Sequence, residues 1–342
     1  MLKNITPYGT QKNRSSFFKF AGLFGSKPKQ GGSLFLYDRK VPRITNLWSK
    51  VIDGEKGEWL SRLFIESTRP FDYALTHVEE KLIAIRFKGV ILNMPEGKIS
   101  INDGLVSEVC LKQDNSDSAS VELILDQPAD VKLAKQEVFP FRLEITLDRS
   151  HLAGLFAGRI IMIDPAHGGQ DTGGRGNVSL MEKDVVMPIA KNLQKMLYRA
   201  GAKAVLTRSG DEYISAGERF EKARLAGADI FISLHTHACV DSRVAGAATK
   251  YLQNCSENTV LARHIQSELI KKIKVADRGV EQELEPVLPA DMPAVEVEVV
   301  TITNIVEEVF LRGLTIQKRA AEGIFNGLRN YFAVRKSDLK VS

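Results

Sequence analysis

Two histidines and a glutamate, His167, Glu182 and His235, have the side-chain types that commonly bind metal ions. His167 follows the apolar run RIIMIDPA, and His235 ends the run DIFISLH. Two imidazoles and one carboxylate suit zinc, and three protein ligands leave a fourth coordination position open, as in catalytic zinc sites. We therefore predict that His167, Glu182 and His235 hold one zinc ion.

Glu182 follows His167 by 15 positions, across a loop rich in glycine. The glycines of this loop are Gly168, Gly169, Gly173, Gly174 and Gly176. Because glycine has no Cβ, such a loop can turn tightly beside a metal and leave space for a substrate. Glu182 begins a segment with helical periodicity, from which its carboxylate can point back toward the loop.

A site that cleaves a bond also needs a group that transfers protons, and a carboxylate close to the metal can do this. Glu298, in the segment PAVEVEVV, is our candidate. In a strand Glu296 and Glu298 lie on the same face, so the alternative is that one of them is a solvated edge residue.

After Gly158 the chain alternates apolar runs with helical patterns. The predicted strands are RIIMID, KAVLT, DIFISLH, AATKYLQ and PAVEVEVV, and the predicted helices are EKDVVMPIAKNLQKMLYRAG, SAGERFEKARLAGA, ENTVLARHIQSELIKKIK and GLTIQKRAAEGIFNGLRNYF. This alternation predicts an α/β domain with a largely parallel sheet flanked by helices. Ligand sites gather at the carboxyl ends of such strands, where His167, His235 and Glu298 lie.

Residues 33–148 have a different pattern, in which short apolar segments such as LIAIRFKGV and FRLEITLD alternate with turn residues. This pattern predicts a smaller β-rich domain. His, Cys and carboxylates do not gather there in a chemical pattern, so we expect catalysis in the second half.

The predicted organisation has four segments. These are a basic tail or degenerate export signal at 1–32, the β-rich domain at 33–150, the catalytic domain at 158–334 and a tail at 335–342. The segment NRSSFFKFAGLFG lacks the paired arginines of a twin-arginine signal, and Lys19 interrupts its apolar stretch, so we favour a tail.

Composition excludes some partners. The net charge of +5 is small for 342 residues, and Lys and Arg are spread along the chain, so we predict no nucleic-acid partner. No run approaches the roughly 18 consecutive apolar residues that a membrane helix needs, so we predict no membrane span.

The second half resembles the zinc-dependent N-acetylmuramoyl-L-alanine amidases of the amidase-3 type. The matching motifs occur in the family's order over roughly residues 158–334, and they are IDPAHGGQDTGGRG…EKD, TRSGD, FISLHTHA and PAVEVE…ITN. The resemblance implies that His167, Glu182 and His235 are zinc ligands and that Glu298 is the catalytic glutamate.

The same resemblance implies a function. The chain would hydrolyse the amide between N-acetylmuramic acid and L-alanine of the peptidoglycan stem peptide, in cell-wall remodelling or daughter-cell separation. Its partner would be peptidoglycan and its location the periplasm or cell envelope. The first half looks like the AMIN domain that often precedes such amidases and is implied to bind the cell wall.

Several positions depart from the family pattern, namely Ala166, His237, Val300 and Thr301. His237 lies on the same strand face as His235. It could join the metal, donate a hydrogen bond to an oxyanion, or fill space.

Alternatives remain open at this stage. The chain could be a catalytically inactive wall-binding or regulatory protein on the amidase fold, or a zinc carboxypeptidase or endopeptidase. Whether an activator protein is needed also stays open, although the interval between YLQN and LARHIQ is too short for an inserted regulatory helix. Arg175, Arg208 and Arg243 are candidates for contacts with an acidic stem peptide, and we interpret Arg208 with Asp211 as an ion pair or a turn.

Overall fold

A computed structural model describes residues 41–253, 255–284 and 287–341, with side chains up to residue 336. The segment 1–32, predicted as a tail or an export signal, lies outside the described residues. Among the helices that are described, none combines the length and the apolar character required to cross a membrane.

Residues 43–148 form two five-stranded sheets, ordered β5-β1-β2-β10-β9 and β3-β4-β8-β7-β6. The strands are β1 Arg43–Asp53, β2 Trp59–Ser67, β3 Asp72–Glu79, β4 Leu82–Lys88, β5 Ile91–Leu92, β6 Gly97–Ser100, β7 Val106–Asn115, β8 Ser118–Leu125, β9 Val131–Gln136 and β10 Phe141–Asp148. Alternate residues of both sheets form one apolar core, which contains Leu63, Ile85, Val121 and Ile145. These strands agree with the β-rich pattern.

The second half is a mixed α/β domain. Its elements are α1 Ala153–Phe156, β11 Ile160–Pro165, α2 Glu182–Arg199, β12 Lys203–Leu206, α3 Ala216–Ala226, β13 Ile230–His237, β14 Ala247–Leu252, α4 Ser256–Ile273, β15 Asp277–Glu283, β16 Ala294–Thr301, α5 Ile305–Leu311 and α6 Leu314–Val341. The sequence patterns missed β15 and α5. Helix α6 continues through the segment from 335 that was predicted as a tail.

The sheet of this domain has the order β12-β11-β13-β16-β14-β15. All neighbouring strands are parallel except β14 and β16, which are antiparallel. The prediction of a largely parallel sheet is therefore confirmed. Because β16 lies between β13 and β14, the interpretation of Glu296 or Glu298 as a solvated edge residue is wrong.

The two faces of the sheet differ in character. On one face, alternate strand residues such as Ile163, Ile232 and Val297 join the large apolar core formed with α2, α4 and α6. On the opposite face, Met162 and Phe231 pack against α3 near one end of the strands. Polar residues continue this second face toward the carboxyl ends of the strands, where the candidate site lies.

Helix α6 also contacts the β-rich domain. The contacts join Asn326 to the carbonyl of Asn102 at 3.1 Å, Arg329 to Asp126 at 2.6 Å, and the ring of Phe325 to that of Trp59 at 5.7 Å between centroids. The loop that leaves β10 adds Arg149, which is fully buried over Trp59 and donates to Ser61. A long helix of the second domain thus packs against the β-rich domain.

Candidate metal centre and active site

His167 lies just beyond the end of β11, in the left-handed backbone region with a φ of 62°. Its carbonyl accepts a hydrogen bond from Arg219 at 2.8 Å. Arg219 also pairs with the buried Asp164 of β11, and Asp164 accepts from Ser233 of β13 at 3.0 Å. This network ties the strained residue to two strands and helix α3.

Arg208 and Asp211 do not pair with each other among the described ion pairs, which leaves the turn after β12 as the interpretation of these residues. Arg208 is buried and donates to the carbonyls of Pro165 and Ala166. Asp211 accepts from Lys183 at 2.8 Å and also from a backbone N–H of the glycine loop. Both residues therefore stabilise, through these hydrogen bonds, the loop that carries His167.

The glycine loop passes very close to the candidate ligands. A Cβ on Gly173 would lie 2.4 Å from Cδ2 of His167 and 2.7 Å from Oε2 of Glu182. Gly173 also has a φ of 65°, which disfavours other residues. The predicted need for glycine beside the ligands is therefore explained by both space and backbone conformation.

Glu182 is the first residue of α2 and is 3% exposed. Its two carboxylate oxygens accept hydrogen bonds from the backbone N–H groups of Gly174 at 2.7 Å and Thr236 at 2.8 Å. Burial raises the pKa of Glu182, but the contacts with His167 and His235 outweigh it and hold the pKa far below 4.5. The carboxylate is thus ionised and fixed in orientation.

The three predicted ligands come together. His167 Nε2 lies 3.3 Å from Glu182 Oε2, and His235 Nδ1 lies 3.0 Å from Glu182 Oε1. One ligand atom from each residue lies within 4.8 Å of the others, and among the described residues this is the group that could hold a metal ion. The second ring nitrogen of His167 lies 2.9 Å from Asp171, the kind of contact that orients metal-binding histidines.

The donor set fits zinc, since it comprises two imidazoles and an ionised, buried carboxylate. Burial lowers the pKa of His235, but the contacts with Glu182 and Glu296 have the larger effect. They raise the pKa above its ordinary value of 6.5, to about 9. A metal ion that binds His235 near neutral pH therefore displaces a proton.

Glu298 lies beside this cluster, because its Cα is in register with that of His235 across β13 and β16. It is 4% exposed and is contacted by Lys250 at 2.8 Å and Arg278 at 2.7 Å. Burial raises its pKa, but the two cations outweigh it and hold the pKa below 4.5. Glu298 is therefore an ionised carboxylate near neutral pH.

His237 contacts Glu298 at 3.4 Å and does not belong to the described metal-binding cluster. Of its three suggested roles, joining the metal is the one that this arrangement does not support. Its ring instead forms part of the surroundings of Glu298.

Comparison with known proteins covers this second half. Residues 161–330 match the Amidase_3 family, described as N-acetylmuramoyl-L-alanine amidase. The chain is 31% identical to N-acetylmuramoyl-L-alanine amidase AmiA of Salmonella typhimurium, over 51% of this chain and 76% of that protein. The chain belongs to the N-acetylmuramoyl-L-alanine amidase family. Members of this amidase family are hydrolases.

Two other relatives of the amidase family extend the comparison. The chain is 38% identical to N-acetylmuramoyl-L-alanine amidase LytC of Bacillus subtilis, over 51% of this chain but only 36% of LytC. The solved structure of N-acetylmuramoyl-L-alanine amidase AmiC2 of Nostoc punctiforme aligns with a TM-score of 0.50 and 30% identity, covering 52% of this chain and 99% of that one. The β-rich domain lies outside the family match, so its AMIN resemblance stays a hypothesis.

Within this amidase domain, sequence reasoning missed two cations. Arg175 and Arg243 are exposed and Arg208 is buried in the loop network, whereas Lys250 and Arg278 contact Glu298. Lys250 could have been selected from the sequence, because it lies in the predicted strand AATKYLQ. Arg278 lies in β15, which the sequence patterns missed.

Proposed function

We propose that this chain is a zinc-dependent N-acetylmuramoyl-L-alanine amidase that hydrolyses the amide between N-acetylmuramic acid and L-alanine of the stem peptide. The observation that carries the proposal is the cluster of His167, Glu182 and His235 beside the buried, ionised Glu298, within the segment that matches the amidase family.

His167, Glu182 and His235 would hold the metal. A zinc ion bound there supplies Lewis-acid chemistry, which polarises a carbonyl and makes water a stronger acid. The chain's own contribution is orientation, because Asp171 positions His167 while Gly174 and Thr236 position Glu182.

Glu298 would transfer the proton. Amide hydrolysis requires that attacking water lose a proton and that the departing L-alanine nitrogen gain one, and an ionised carboxylate can do both in turn. Lys250 and Arg278 keep Glu298 ionised but also make it a weaker base. We therefore expect at least one of these contacts to lengthen as Glu298 accepts the proton.

The β-rich domain would hold the enzyme on its polymer, as its AMIN resemblance implies. A second contact with the same polymer raises the effective concentration of the cleavable bond. We propose the periplasm or cell envelope as the location, and cell-wall remodelling or daughter-cell separation as the role, since peptidoglycan is the proposed substrate.

The deciding experiment measures zinc content and product release from purified muropeptides with wild type and Glu298→Gln. We expect about one zinc in each protein, with intact peptides bearing free L-alanine amino termini released by wild type alone. Zinc binding without any product would favour the inactive wall-binding protein. Cleavage inside the peptide would instead favour a carboxypeptidase or endopeptidase.

A further inference from the structure

Helix α5 buries its acidic side chains and exposes most of its apolar ones, which is the reverse of the usual distribution. Its two acidic residues, Glu307 and Glu308, are 5% and 0% exposed. Of its five apolar residues, Leu311 is buried at 1% exposure, whereas Ile305, Val306 and Val309 are each more than half exposed and Phe310 is exposed to 50%. A helix of a soluble domain normally buries its apolar residues and exposes its carboxylates.

The buried carboxylates hold α5 in this orientation. Glu307 accepts hydrogen bonds from the backbone N–H groups of Gly246 at 2.9 Å and Thr301 at 2.8 Å. Glu308 accepts from the backbone N–H groups of Val178 at 2.8 Å and Leu180 at 3.1 Å. Because both carboxylates pair with these buried donors, rotating α5 to hide its apolar side would leave polar groups unpaired.

Neighbouring segments enlarge the apolar surface. The loop before β14 reaches the start of α5, where Asn304 donates to the carbonyl of Ser242. Arg312, just after α5, donates to the carbonyl of Val178 in the glycine loop. The exposed apolar residues of these segments form what we call the α5 face, namely Val178, Val240, Ile305, Val306, Val309, Phe310 and Leu314. Surface patches of this kind mark interaction sites.

The exposed charges around the α5 face are mainly positive. In the segments 174–180, 238–246 and 304–320, the exposed cations are Arg175, Arg243, Arg312, Lys318 and Arg319. The exposed carboxylate of these segments is Asp241, which pairs with Arg243 at 2.8 Å. With the buried Glu307 and Glu308 included, these segments hold five cations and three carboxylates, a formal net charge of +2. Arg312 pairs with Glu308 at 3.0 Å and Lys318 with Glu322 at 3.8 Å.

We propose that the α5 face docks on the surface of an anionic lipid bilayer. Exposed aliphatic and aromatic side chains enter the boundary between headgroups and acyl chains, while flanking Lys and Arg are attracted to anionic headgroups. An anionic bilayer complements exposed apolar side chains that are flanked mainly by positive charges. Docking would hold the glycine loop, which connects two candidate metal ligands, next to the membrane. The proposal does not depend on amidase activity.

The test is co-sedimentation of the full, zinc-loaded chain with vesicles of phosphatidylglycerol and phosphatidylcholine in equal parts, and with vesicles of phosphatidylcholine alone. We expect binding to the anionic vesicles that weakens with added salt. The double variant Val309→Ser, Phe310→Ser should bind at least roughly 10-fold more weakly. Removing both cations in Lys318→Ser, Arg319→Ser should weaken binding by roughly 25-fold, at about 5-fold for each.

The matched control is Val138→Ser, Phe139→Ser, which removes an equally apolar pair that is 69% and 79% exposed in the β-rich domain. We expect this control to bind like wild type, and all variants to keep the wild-type zinc content and unfolding temperature. Absence of wild-type binding to anionic vesicles would overturn the proposal, as would equal binding by the α5-face variant. Self-association that only the α5-face variant abolishes, seen by sedimentation velocity, would assign the face to a second copy instead.

Discussion

At the scale of single residues, the site depends on how each carboxylate is held. Glu182 is oriented by two backbone N–H groups and faces two histidines. Glu298 is instead held by two cations, Lys250 and Arg278. The first arrangement fits a metal ligand, and the second fits a carboxylate that must stay ionised beside the metal.

Lys250→Met removes the ion pair with Glu298 at 2.8 Å, together with longer ones to Glu296 at 3.4 Å and Glu283 at 3.9 Å, in the metal-free protein. A carboxyl group whose pKa is lowered by folding contributes stability that is fully present above its ordinary pKa of 4.5. That stability is lost as the pH falls through the lower, folded-state value. We expect the variant to lose about 1–2 kcal/mol of unfolding free energy near neutral pH, and less at about pH 3.

Denaturant unfolding at both pH values measures this difference. Lys98→Met is the control, because Lys98 pairs with Glu108 at a similar distance of 3.0 Å but is exposed. We expect no measurable change in the control. If Lys250→Met loses the same unfolding free energy at both pH values, the result would contradict a role for Glu298 ionisation.

Asp171→Asn tests the orientation of His167. Asp171 contacts the ring nitrogen that points away from Glu182, so the substitution should weaken zinc binding by roughly 10–100-fold. Competition with a chelator measures the affinity. Asp241→Asn, in another exposed loop, should leave affinity unchanged, and an equal loss in both variants would refute the orienting role.

At the scale of elements, backbone geometry decides whether the ligands can meet. The glycine loop runs from the end of β11 to the start of α2, and the buried Glu308 of α5 accepts hydrogen bonds from it. The parallel pairing of β13 and β16 brings Glu298 level with His235. The site therefore requires a loop, two helices and two strands to pack together.

Gly173→Ala tests the space beside the ligands. The added Cβ would collide with His167 and Glu182, so we expect zinc affinity to fall strongly. Gly227→Ala is a matched control, because Gly227 has a φ of 66° against 65° for Gly173 but has open space at its Cβ. Both variants should carry about 1–2 kcal/mol of backbone strain.

Chelator competition and denaturant unfolding together separate the two effects of Gly173→Ala. We expect Gly173→Ala to be the less stable of the two metal-free variants, because its Cβ meets His167 and Glu182 in addition to the shared backbone strain, and we expect zinc loss only for Gly173→Ala. Normal zinc affinity in Gly173→Ala would mean that the ligands do not occupy the described positions when metal is bound.

At the scale of the whole molecule, α6 couples the two domains. Arg329 is 1% exposed and pairs with Asp126 of the β-rich domain. Trp48 and Trp59, the two tryptophans of the chain, both lie in that domain. Tryptophan fluorescence therefore reports on the β-rich domain and, through the contact of Trp59 with Phe325, on its junction with α6, while far-UV circular dichroism reports on the helices of the other domain.

Arg329→Met should cost about 3–5 kcal/mol, because it leaves Asp126 without its buried partner. We expect the fluorescence and circular dichroism transitions to coincide in wild type and to separate in this variant. Arg335→Met removes a half-exposed arginine of the same helix that pairs with Glu257, so its cost should stay below about 1 kcal/mol. Coincident transitions in Arg329→Met would show that this ion pair does not couple the domains.

Local patterns were sufficient to predict much of this protein. Apolar runs and helical periodicity predicted the largely parallel sheet and its main helices, because these patterns reflect which faces are buried. His167, Glu182 and His235 could be selected because their types suit zinc and because strand ends and glycine loops collect ligands. The structure brings these three residues together, while their role as zinc ligands stays a prediction.

Only the tertiary structure decided the surroundings of Glu298 and the orientation of α5. Lys250 and Arg278 meet Glu298 because β14 and β15 follow β16 in the sheet, an order that differs from the order along the chain. The buried carboxylates of Glu307 and Glu308 accept hydrogen bonds from the backbone N–H groups of Gly246 and Val178, which lie 61 and 130 positions away along the chain. Periodicity reports which face of a segment is apolar, but it carries no information on distant donors that can bury a carboxylate and leave the apolar face exposed.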